Sequence, residues 1–413
     1  MDATAYNGLF NMKKLVQFGA GNIGRSFIGP LFSRAGYEVV FIEIDCAIVR
    51  ALNERRSYEV EIRDDRSEKW SIGNVRAVDA RDKEKTAEEV AGADCLGSAV
   101  GKNVLASIVP SIAKGLELRF LRMGQRPVDL IICENILEGA QFLRDEFRKI
   151  LPADFPLDEM LGLVETSIGK MVPIMSAKDR EKDPLLVYAE AYNTLILDRK
   201  AFRARIPDVP GLDAKDNMKA YVERKSFIHN LGHAMLAYME GVLEKGYTFT
   251  WEVVRDAELR DIAKAAMWES GRALIQAYPD EFHEDNQEEH IENLLQRFGN
   301  VYLGDTVYRV GRDLQRKLNR DDRLIGALRF DLAHGIEPEV TAQGAAAACF
   351  FRKTDENGRL FGGDEEFRRV IFPKGLDYIL CCVCGLSPED EIDRRVAALI
   401  RPHFSRFSPR PDG

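Results

Sequence analysis

The sequence predicts an α/β protein in two parts, a parallel-sheet domain followed by a mostly α-helical domain. Residues 14–43 alternate between a short apolar strand, a glycine-rich turn, a helix and a second strand. From about Pro210 the pattern changes to long amphipathic segments with few strand-like runs. The first pattern is typical of a Rossmann-type dinucleotide-binding domain. We therefore predict such a domain over residues 12–198 and a helical catalytic and substrate domain over 199–413.

The elements follow from the apolar spacing in chain order. Residues 14–18 form a short apolar strand, residues 23–35 fit a helix that Gly36 ends, and residues 39–42 form the next strand. Residues 94–101 fit a strand that runs into a loop, and residues 128–133 are almost continuously apolar, as expected of a strand buried on both faces. Further strands are expected within 165–198, for example at 185–190. Helices are predicted at 216–241, 251–278, 290–298 and 340–352.

The glycine turn is the first candidate site. Gly19 permits the tight turn, Gly21 lets the backbone approach a pyrophosphate, and Gly24 allows the helix to pack closely on the strand. The phosphates would lie at the helix N-terminus, where backbone N–H groups lack helical partners. The predicted cofactor-binding residues of the turn are Gly19, Ala20, Gly21, Asn22, Ile23 and Gly24.

Glu43 ends the second strand and selects between the two nicotinamide cofactors. It lies 19 residues after Gly24, close to the ~20 expected of the acid that binds the ribose 2′-hydroxyl. A carboxylate there would repel the additional phosphate of NADP. The sequence therefore predicts NAD as the cofactor.

Residues after two later strands are further candidates, because ligands of parallel sheets gather beyond the carboxyl ends of the strands. They are Ser98, Val100 and Gly101 after one strand and Asn135 after the next. Asn135 has an equally plausible structural interpretation as a turn or helix cap, a common position for asparagine.

Composition excludes several classes of protein. The chain has 413 residues and a net charge of −9, whereas general binding to nucleic acid or to an anionic membrane needs a broad basic surface. No segment approaches the ~20 apolar residues of a membrane helix. Residues 1–11 have no signal-peptide pattern and are predicted to be a disordered extension or the product of a misplaced start codon, so we expect a cytoplasmic protein.

Cysteine usage indicates reduced thiols and no metal. Seven scattered cysteines in a chain without a signal do not suggest a disulfide framework. Residues 381–384 contain a CxxC spacing, but no second pair or nearby histidine completes a tetrahedral site. We predict a structural role for these cysteines and no bound metal.

The catalytic candidates lie on a predicted helix at residues 222–233. At about 100° per residue, Lys225, His233 and Asn230 lie at about 0°, 80° and 140°, so they can face one cleft. A lysine made less basic by burial can accept a hydroxyl proton while an asparagine stabilises the oxyanion and a histidine orients the substrate. The alternative is a solvated lysine on an ordinary helix face, with His229 competing with His233 for the histidine role.

A resemblance to a known family favours the catalytic interpretation. Residues 18–29, FGAGNIGRSFIG, resemble the N-terminal signature of the polyol-specific long-chain dehydrogenase/reductase family, in particular of its members that act on mannitol 1-phosphate. The K-x4-N-x2-H pattern matches that family's catalytic lysine, asparagine and histidine at Lys225, Asn230 and His233. The similarity extends from residue 12 to about 386 through residues 206–211, 297–300, 309–312, 316–318 and 322–324.

The resemblance implies a metal-independent, monomeric enzyme that interconverts D-mannitol 1-phosphate and D-fructose 6-phosphate with NAD(H). It implies that Lys225 is the acid/base, that Asn230 and Asn135 hold the oxyanion, and that His233 binds a substrate hydroxyl. Free mannitol and the hexuronates fructuronate and tagaturonate are alternative substrates of the same class.

Two departures from the family pattern leave the substrate open. Gly169-Lys170 stands where the family often has Asp-Arg, and Leu195 stands where an aromatic is frequent. The first departure motivates an alternative of another class, a nucleotide-binding sensor that has lost catalysis.

A cationic segment favours an anionic substrate. Residues 309–323 carry six Lys and Arg residues against three Asp, and arginine offers paired donors that match phosphate geometry. We predict that Arg309 and Arg316 bind the phosphate. The alternative is a solvated helix face balanced by acids elsewhere.

Overall fold

The computed structural model describes residues 12–64, 68–136, 138–175, 179, 181 and 183–408. The extension predicted at residues 1–11 lies outside the described residues. The chain divides into two compact units, Met1–Met218 and Lys219–Gly413. A parallel-sheet unit followed by a mostly helical unit confirms the predicted fold class.

The strands of the first unit are β1 (Lys14–Phe18), β2 (Glu38–Glu43), β3 (Tyr58–Ile62), β4 (Glu68–Ile72), β5 (Val75–Asp79), β6 (Cys95–Ser98), β7 (Val128–Ile132), β8 (Leu161–Ile168), β9 (Val187–Ala189), β10 (Leu195–Asp198) and β11 (Leu212–Lys215). Eight of them form one sheet in the order β11-β10-β8-β7-β6-β1-β2-β5, and β4-β3-β9 form a second. The strands from β8 to β5 pair in parallel, whereas β10 runs antiparallel to β8. The carboxyl ends of the parallel strands therefore share one edge.

Helices cover both faces of the large sheet, which explains its continuous apolar strands. The π-helical turn Gly24–Ile28 leads into α1 (Gly29–Arg34), and the helices that follow are α2 (Cys46–Arg55), α3 (Lys83–Ala91), α4 (Val109–Met123), α5 (Gly139–Arg148) and α6 (Leu157–Met160), with 3₁₀ turns at Leu105–Ile108 and Arg199–Ala201. Leu15 and Val16 of β1 are fully buried in two different core clusters. Each face of the strand thus packs against its own apolar layer.

The first unit extends beyond the boundary predicted near residue 198. β11 pairs in parallel with β10, Leu195 opposite Leu212 and Asp198 opposite Lys215, so residues 212–215 complete the sheet. The short run LDAK, with each residue only partly buried, lacks the continuous apolar pattern of the inner strands. The compact unit therefore ends at Met218.

The second unit consists of helices. They are α7 (Met218–Arg224), α8 (Leu231–Leu243), α9 (Thr250–Val253), α10 (Ala257–Ala277), α11 (Glu284–Phe298), α12 (Val307–Gly311), α13 (Leu314–Lys317), α14 (Ile325–Ala333), α15 (Glu339–Cys349), α16 (Gly362–Glu366), α17 (Leu376–Cys382) and α18 (Glu391–Phe407). π-Helical turns occupy Lys225–Asn230 and Phe367–Ile371, and 3₁₀ turns occupy Val301–Leu303 and Phe372–Lys374. α8 is mostly apolar, and Leu231, Met235 and Tyr238 are fully buried, as expected of a helix at the centre of its unit.

Candidate active site

The glycine turn has the geometry that a dinucleotide pyrophosphate requires. A Cβ atom at Gly24 would lie 2.1 Å from the Gly19 carbonyl oxygen, and one at Gly19, where φ is +87°, would lie 2.6 Å from the Ala99 oxygen. Both positions therefore require glycine for close packing. Among the described residues, no heavy atom beyond Gly21 and its neighbours along the chain lies within 4 Å of a Cβ placed at Gly21, so the turn leaves open space where the cofactor backbone would approach. Ala20 is buried, whereas Gly21 and Asn22 are exposed.

Glu43 is anchored at the carboxyl end of β2 beside this turn. Its Oε2 accepts a hydrogen bond from the Ala20 N–H at 2.8 Å, and its Oε1 accepts from the N–H groups of Ile44 and Asp45 at 2.7 and 3.0 Å. These bonds fix the carboxylate next to the phosphate-binding turn. A carboxylate oxygen can accept a second hydrogen bond, so Oε2 can still receive a ribose hydroxyl.

The loop after β6 is held by a buried carboxylate that the sequence did not single out. Ser98 Oγ donates to Glu134 Oε2 at 2.7 Å, and the Val100 N–H donates to Glu134 Oε1 at 2.9 Å. Burial raises the pKa of Glu134, and the bonds from Ser98, Val100 and Gly101 oppose that rise. Glu134 thereby links the ends of β6 and β7. The signal for it was its position directly after an apolar strand.

Ser98 corrects the expectation of a direct cofactor contact. Ser98 is 0% exposed, and its hydroxyl donates to Glu134. It therefore stabilises the loop and does not face the cofactor. Val100 and Gly101 remain at the surface of the loop, and Gly101 adopts a φ of +89°.

Asn135 follows Glu134 at the carboxyl end of β7 and is exposed. Glu138 occupies the N-cap position of α5, so Asn135 is not the N-cap residue of that helix. Its position at the shared strand edge leaves the predicted ligand-binding role in place.

Lys170 belongs to the Gly169-Lys170 pair that departs from the family pattern. It has a structural role inside the first unit. Its ammonium is buried and donates to the carbonyl oxygens of Glu190 and Tyr192 at 2.9 and 2.6 Å. The lysine therefore ties residue 170 to the segment after β9. Such a role removes the motive for regarding this substitution as a sign of lost catalysis.

In the second unit, the helix that carries Lys225, Asn230 and His233 is not a regular α-helix. Residues 225–230 form a π-helical turn between α7 and α8, and the Leu231 N–H bonds to the Ser226 carbonyl oxygen. The separation of about 140° expected between Lys225 and Asn230 assumed α-helical geometry. The i→i+5 bonding of a π-turn instead brings residues five apart over one another, so the two side chains lie closer in direction than predicted.

Lys225 has the lowered basicity expected of a proton acceptor. Its enclosure in the second unit lowers its pKa to about 8, and the nearby Arg323 guanidinium contributes to the same effect. A lysine with a pKa near 8 is present in both its neutral and its protonated form near neutral pH.

His233 is a neutral, rigidly held imidazole. Its ring stacks on Phe298, with centroids 4.6 Å apart and planes 7° from parallel, and its Nε2 lies 3.7 Å from Asp305 Oδ2. Burial, with help from Lys317, Arg309 and Arg323, lowers its pKa to about 3. His229 packs edge-on against the same Phe298 ring at 5.6 Å and is 8% exposed. The side chain of His233 is 16% exposed, which makes it the more accessible of the two.

The two predicted phosphate ligands, Arg309 and Arg316, form different ion pairs. Arg309 pairs with Asp305. Arg316 contacts two carboxylates, Asp313 at 2.5 Å and Asp322 at 3.2 Å, so much of its charge is neutralised. The structure thus places Arg316 in an ion-pair network, and its role as a phosphate ligand stays a prediction.

Lys317 and Arg323 are further candidates that the sequence did not single out as phosphate ligands. Lys317 is 4% exposed and donates to the Val310 carbonyl oxygen. Its burial, then Arg323 and Arg316, lower its pKa to about 7. Arg323 also lowers the pKa values of Lys225 and His233. Lys317, Arg323 and Arg309 form a cationic cluster near His233, whose pKa all three lower, while Arg309 and Arg323 also pair with Asp305 and Asp322. No sequence signal distinguished Lys317 and Arg323 from solvated charges.

The described part of the chain contains neither a cluster of metal ligands nor a membrane-spanning helix. No three His, Cys, Asp or Glu side chains there come together as metal ligands would. None of the helices there combines the length and apolar character needed to span a membrane. Of the cysteines at 381–384, Cys384 is buried while Cys381 and Cys382 are exposed.

The fold of the first unit and its glycine turn define the class of an NAD-dependent dehydrogenase. Residues 13–211 match the mannitol dehydrogenase Rossmann domain, and residues 217–369 match the mannitol dehydrogenase C-terminal domain. The chain belongs to the mannitol dehydrogenase family, and it is an NAD-dependent oxidoreductase of that polyol dehydrogenase family.

Solved structures give more distant matches. A PanE/ApbA family ketopantoate reductase from Ralstonia eutropha JMP134 is 17% identical, with a TM-score of 0.44 and coverage of 81% of this chain and 97% of that one. An octopine dehydrogenase solved with NADH and L-arginine is 13% identical, with a TM-score of 0.45 and coverage of 91% and 98%. TM-scores this low support no assignment of substrate or mechanism.

Proposed function

We propose that the chain interconverts D-mannitol 1-phosphate and D-fructose 6-phosphate with NAD(H). The observation that carries the proposal is the cationic cluster of Lys317, Arg323 and Arg309 around His233 and Lys225 in the second unit. The whole chain has a net charge of −9, so this concentration of positive charge is local. A phosphate dianion beside the reacting carbons would be the natural counter-charge.

Lys225 moves the proton in this mechanism. In oxidation its neutral amine accepts the hydroxyl proton of the substrate while the carbon beneath that hydroxyl loses a hydride, and in reduction its ammonium returns the proton to the carbonyl oxygen. NAD⁺ supplies the hydride acceptor when bound. With a pKa of about 8, Lys225 can serve both directions.

The neighbouring side chains stabilise charge and orient the substrate. Asn230 donates an amide hydrogen bond to the developing alkoxide, a role that the family resemblance also implies for Asn135. His233 stays neutral because its pKa is about 3, so it binds a substrate hydroxyl without competing for the proton. Lys317 and Arg323, with Arg309, bind the phosphate.

A substrate panel tests the proposal. With NADH as the reductant, fructose 6-phosphate should give a kcat/KM well above those of fructose, fructuronate and tagaturonate. The strongest activity with a hexuronate would reassign the cluster to a carboxylate, and the strongest activity with fructose would show that it binds no anion. Absence of NADH oxidation with every ketose, alongside measurable NADH binding, would favour the non-catalytic sensor.

Two variants test the assigned residues. Lys225→Ala should lower kcat by about 10²–10⁴, the usual contribution of a positioned acid/base, whereas Lys245→Ala, which removes a surface lysine paired with Asp256 and Glu258, should leave kcat unchanged. Lys317→Met should raise KM for fructose 6-phosphate by about 10- to 100-fold, as expected for a lost hydrogen bond to a charged group. An unchanged turnover in Lys225→Ala would refute the mechanism.

A further inference from the structure

Asp305 lies between two groups of the proposed site. Its Oδ2 is 3.7 Å from His233 Nε2, and its Oδ1 pairs with the Arg309 guanidinium. The carboxylate side chain is 7% exposed. It therefore faces an imidazole on one side and a cation on the other, with little access for water.

The backbone around Asp305 is fixed, so this position is not that of a mobile surface side chain. The Asp305 carbonyl oxygen accepts from the Thr250 N–H at 2.9 Å and from Thr250 Oγ1 at 3.2 Å. The next residue, Thr306, forms an antiparallel bridge with Phe249 and caps α12 through its side chain. A carboxylate on such a support can hold a partner in one orientation.

His233 has one ring orientation but a choice of tautomer. Stacking on Phe298 fixes the plane of the ring and turns Nε2 toward Asp305. Within the described residues, Nε2 is buried and has no hydrogen-bond partner. A neutral imidazole carries its proton on one nitrogen only, and the hydrogen bond available to each nitrogen decides which one.

We propose that Asp305 is a positioning residue that keeps the proton on Nε2 of His233 and, through its other oxygen, fixes the direction of Arg309. The carboxylate forms an ion pair with Arg309, and an ionised carboxylate only accepts hydrogen bonds. The group opposite it must therefore be a donor, which selects the Nε2–H tautomer. Nδ1 of His233 then carries no proton and accepts a hydrogen bond from a substrate hydroxyl, while Arg309 is held for the phosphate. This inference rests on the proposed function for its substrate, although the tautomer itself does not depend on it.

The tautomer is measured directly. In protein labelled with ¹⁵N-histidine, long-range ¹H–¹⁵N spectra distinguish the two neutral forms, and with six histidines in the chain a His233→Gln variant assigns the signal. The wild type should show the Nε2–H form, and Asp305→Ala should shift His233 toward a mixture or toward Nδ1–H. Asp331→Asn is the control, because Asp331 is a buried carboxylate of the same unit that pairs with Ser270 at 3.0 Å. It should leave the His233 signal unchanged.

Kinetic measurements distinguish the contact of Asp305 with His233 from its contact with Arg309. Asp305→Ala should lower kcat by about 10-fold or more and raise KM for fructose 6-phosphate by a similar factor, as removal of charge-assisted contacts predicts. Asp305→Asn keeps an oxygen that can accept from Nε2–H but loses the ion pair with Arg309. It should therefore recover most of kcat while KM stays raised, a split that a purely structural role would not produce.

The outcomes distinguish this inference from the proposed function. An Nδ1–H tautomer in the wild type, or an Nε2–H signal that persists in Asp305→Ala, overturns the inference whatever the activity. A wild type that shows the Asp305-dependent tautomer but reduces no ketose phosphate supports the positioning role and removes the proposed substrate. Equal kinetic losses in Asp305→Ala and Asp305→Asn would also count against the two separate contacts.

Discussion

At the scale of single residues, the lowered pKa values of two lysines in the second unit predict how the rate of ketose reduction depends on pH. Lys225 and Lys317 have pKa values lowered to about 8 and about 7. In the proposed mechanism, reduction needs both lysines protonated, since Lys225 donates the proton and Lys317 binds the phosphate. The kcat/KM for fructose 6-phosphate should therefore fall as pH rises above about 7 and fall more steeply above about 8.

A matched variant assigns the two steps. In Lys317→Met the lower step should disappear and only the decline near pH 8 should remain, measured as initial rates of NADH oxidation at constant ionic strength. A profile that is flat between pH 6 and 9 would contradict the assignment of Lys225 as the acid.

Glu43 should control the choice of cofactor. Glu43→Gln retains oxygen and nitrogen atoms beside the Ala20, Ile44 and Asp45 amides but removes the charge that repels a 2′-phosphate. We expect the ratio of kcat/KM for NADH to that for NADPH to fall by at least about tenfold, or about 1.4 kcal/mol. Glu59→Gln, on an exposed part of β3, is the control. An unchanged ratio in Glu43→Gln would mean that this carboxylate is not at the ribose.

The sequence was informative about residues whose role depends on local pattern and uninformative about those whose role depends on burial. Gly19, Gly24 and Glu43 were predictable because strand, turn and helix spacing determines their positions. Lys317 and Arg316 are neighbours of like charge, and only tertiary packing makes one a buried cation and the other a surface ion-pair partner. Glu134 could have been suspected from its place after β7, but its bonds to the β6 loop could not.

At the scale of elements, two glycines of one turn should respond differently to the same substitution. Gly21→Ala adds a methyl group to open space, so the melting temperature should be unchanged while the affinity for NADH falls, because the pyrophosphate needs that space. Gly24→Ala forces a methyl group onto the Gly19 carbonyl and should lower the melting temperature as well. Calorimetry and NADH titration by fluorescence measure the two effects. Equal NADH affinity in Gly21→Ala and wild type would argue that the cofactor does not approach this turn.

The catalytic helix shows why an element can be predicted while its geometry is not. Apolar spacing predicts a helix at residues 216–241, and α7, the π-turn and α8 together occupy that range. A π-turn accommodates its change of bonding within a few residues and leaves the surrounding apolar periodicity intact. The apolar spacing therefore could not predict the direction of the Asn230 side chain relative to that of Lys225.

At the scale of the whole molecule, activity should not depend on a metal ion. In the proposed mechanism Lys225 transfers the proton without a Lewis acid, and the described residues contain no cluster of metal ligands. Prolonged incubation with EDTA followed by desalting should leave kcat within about twofold of the untreated enzyme, a difference well below the loss expected from removing a catalytic metal. Recovery of a lost activity on addition of zinc would contradict this prediction.

The addition of β11 to the sheet has a consequence for biosynthesis. All eight strands of the large sheet are encoded before Met218, so no later segment is needed to complete it. At about 5–20 residues per second, a ribosome needs roughly 10 to 40 s more to translate the second unit, and N-terminal domains generally fold first during synthesis. We therefore expect the nascent chain to acquire its nucleotide-binding sheet while Lys225 and the cationic cluster are still being translated.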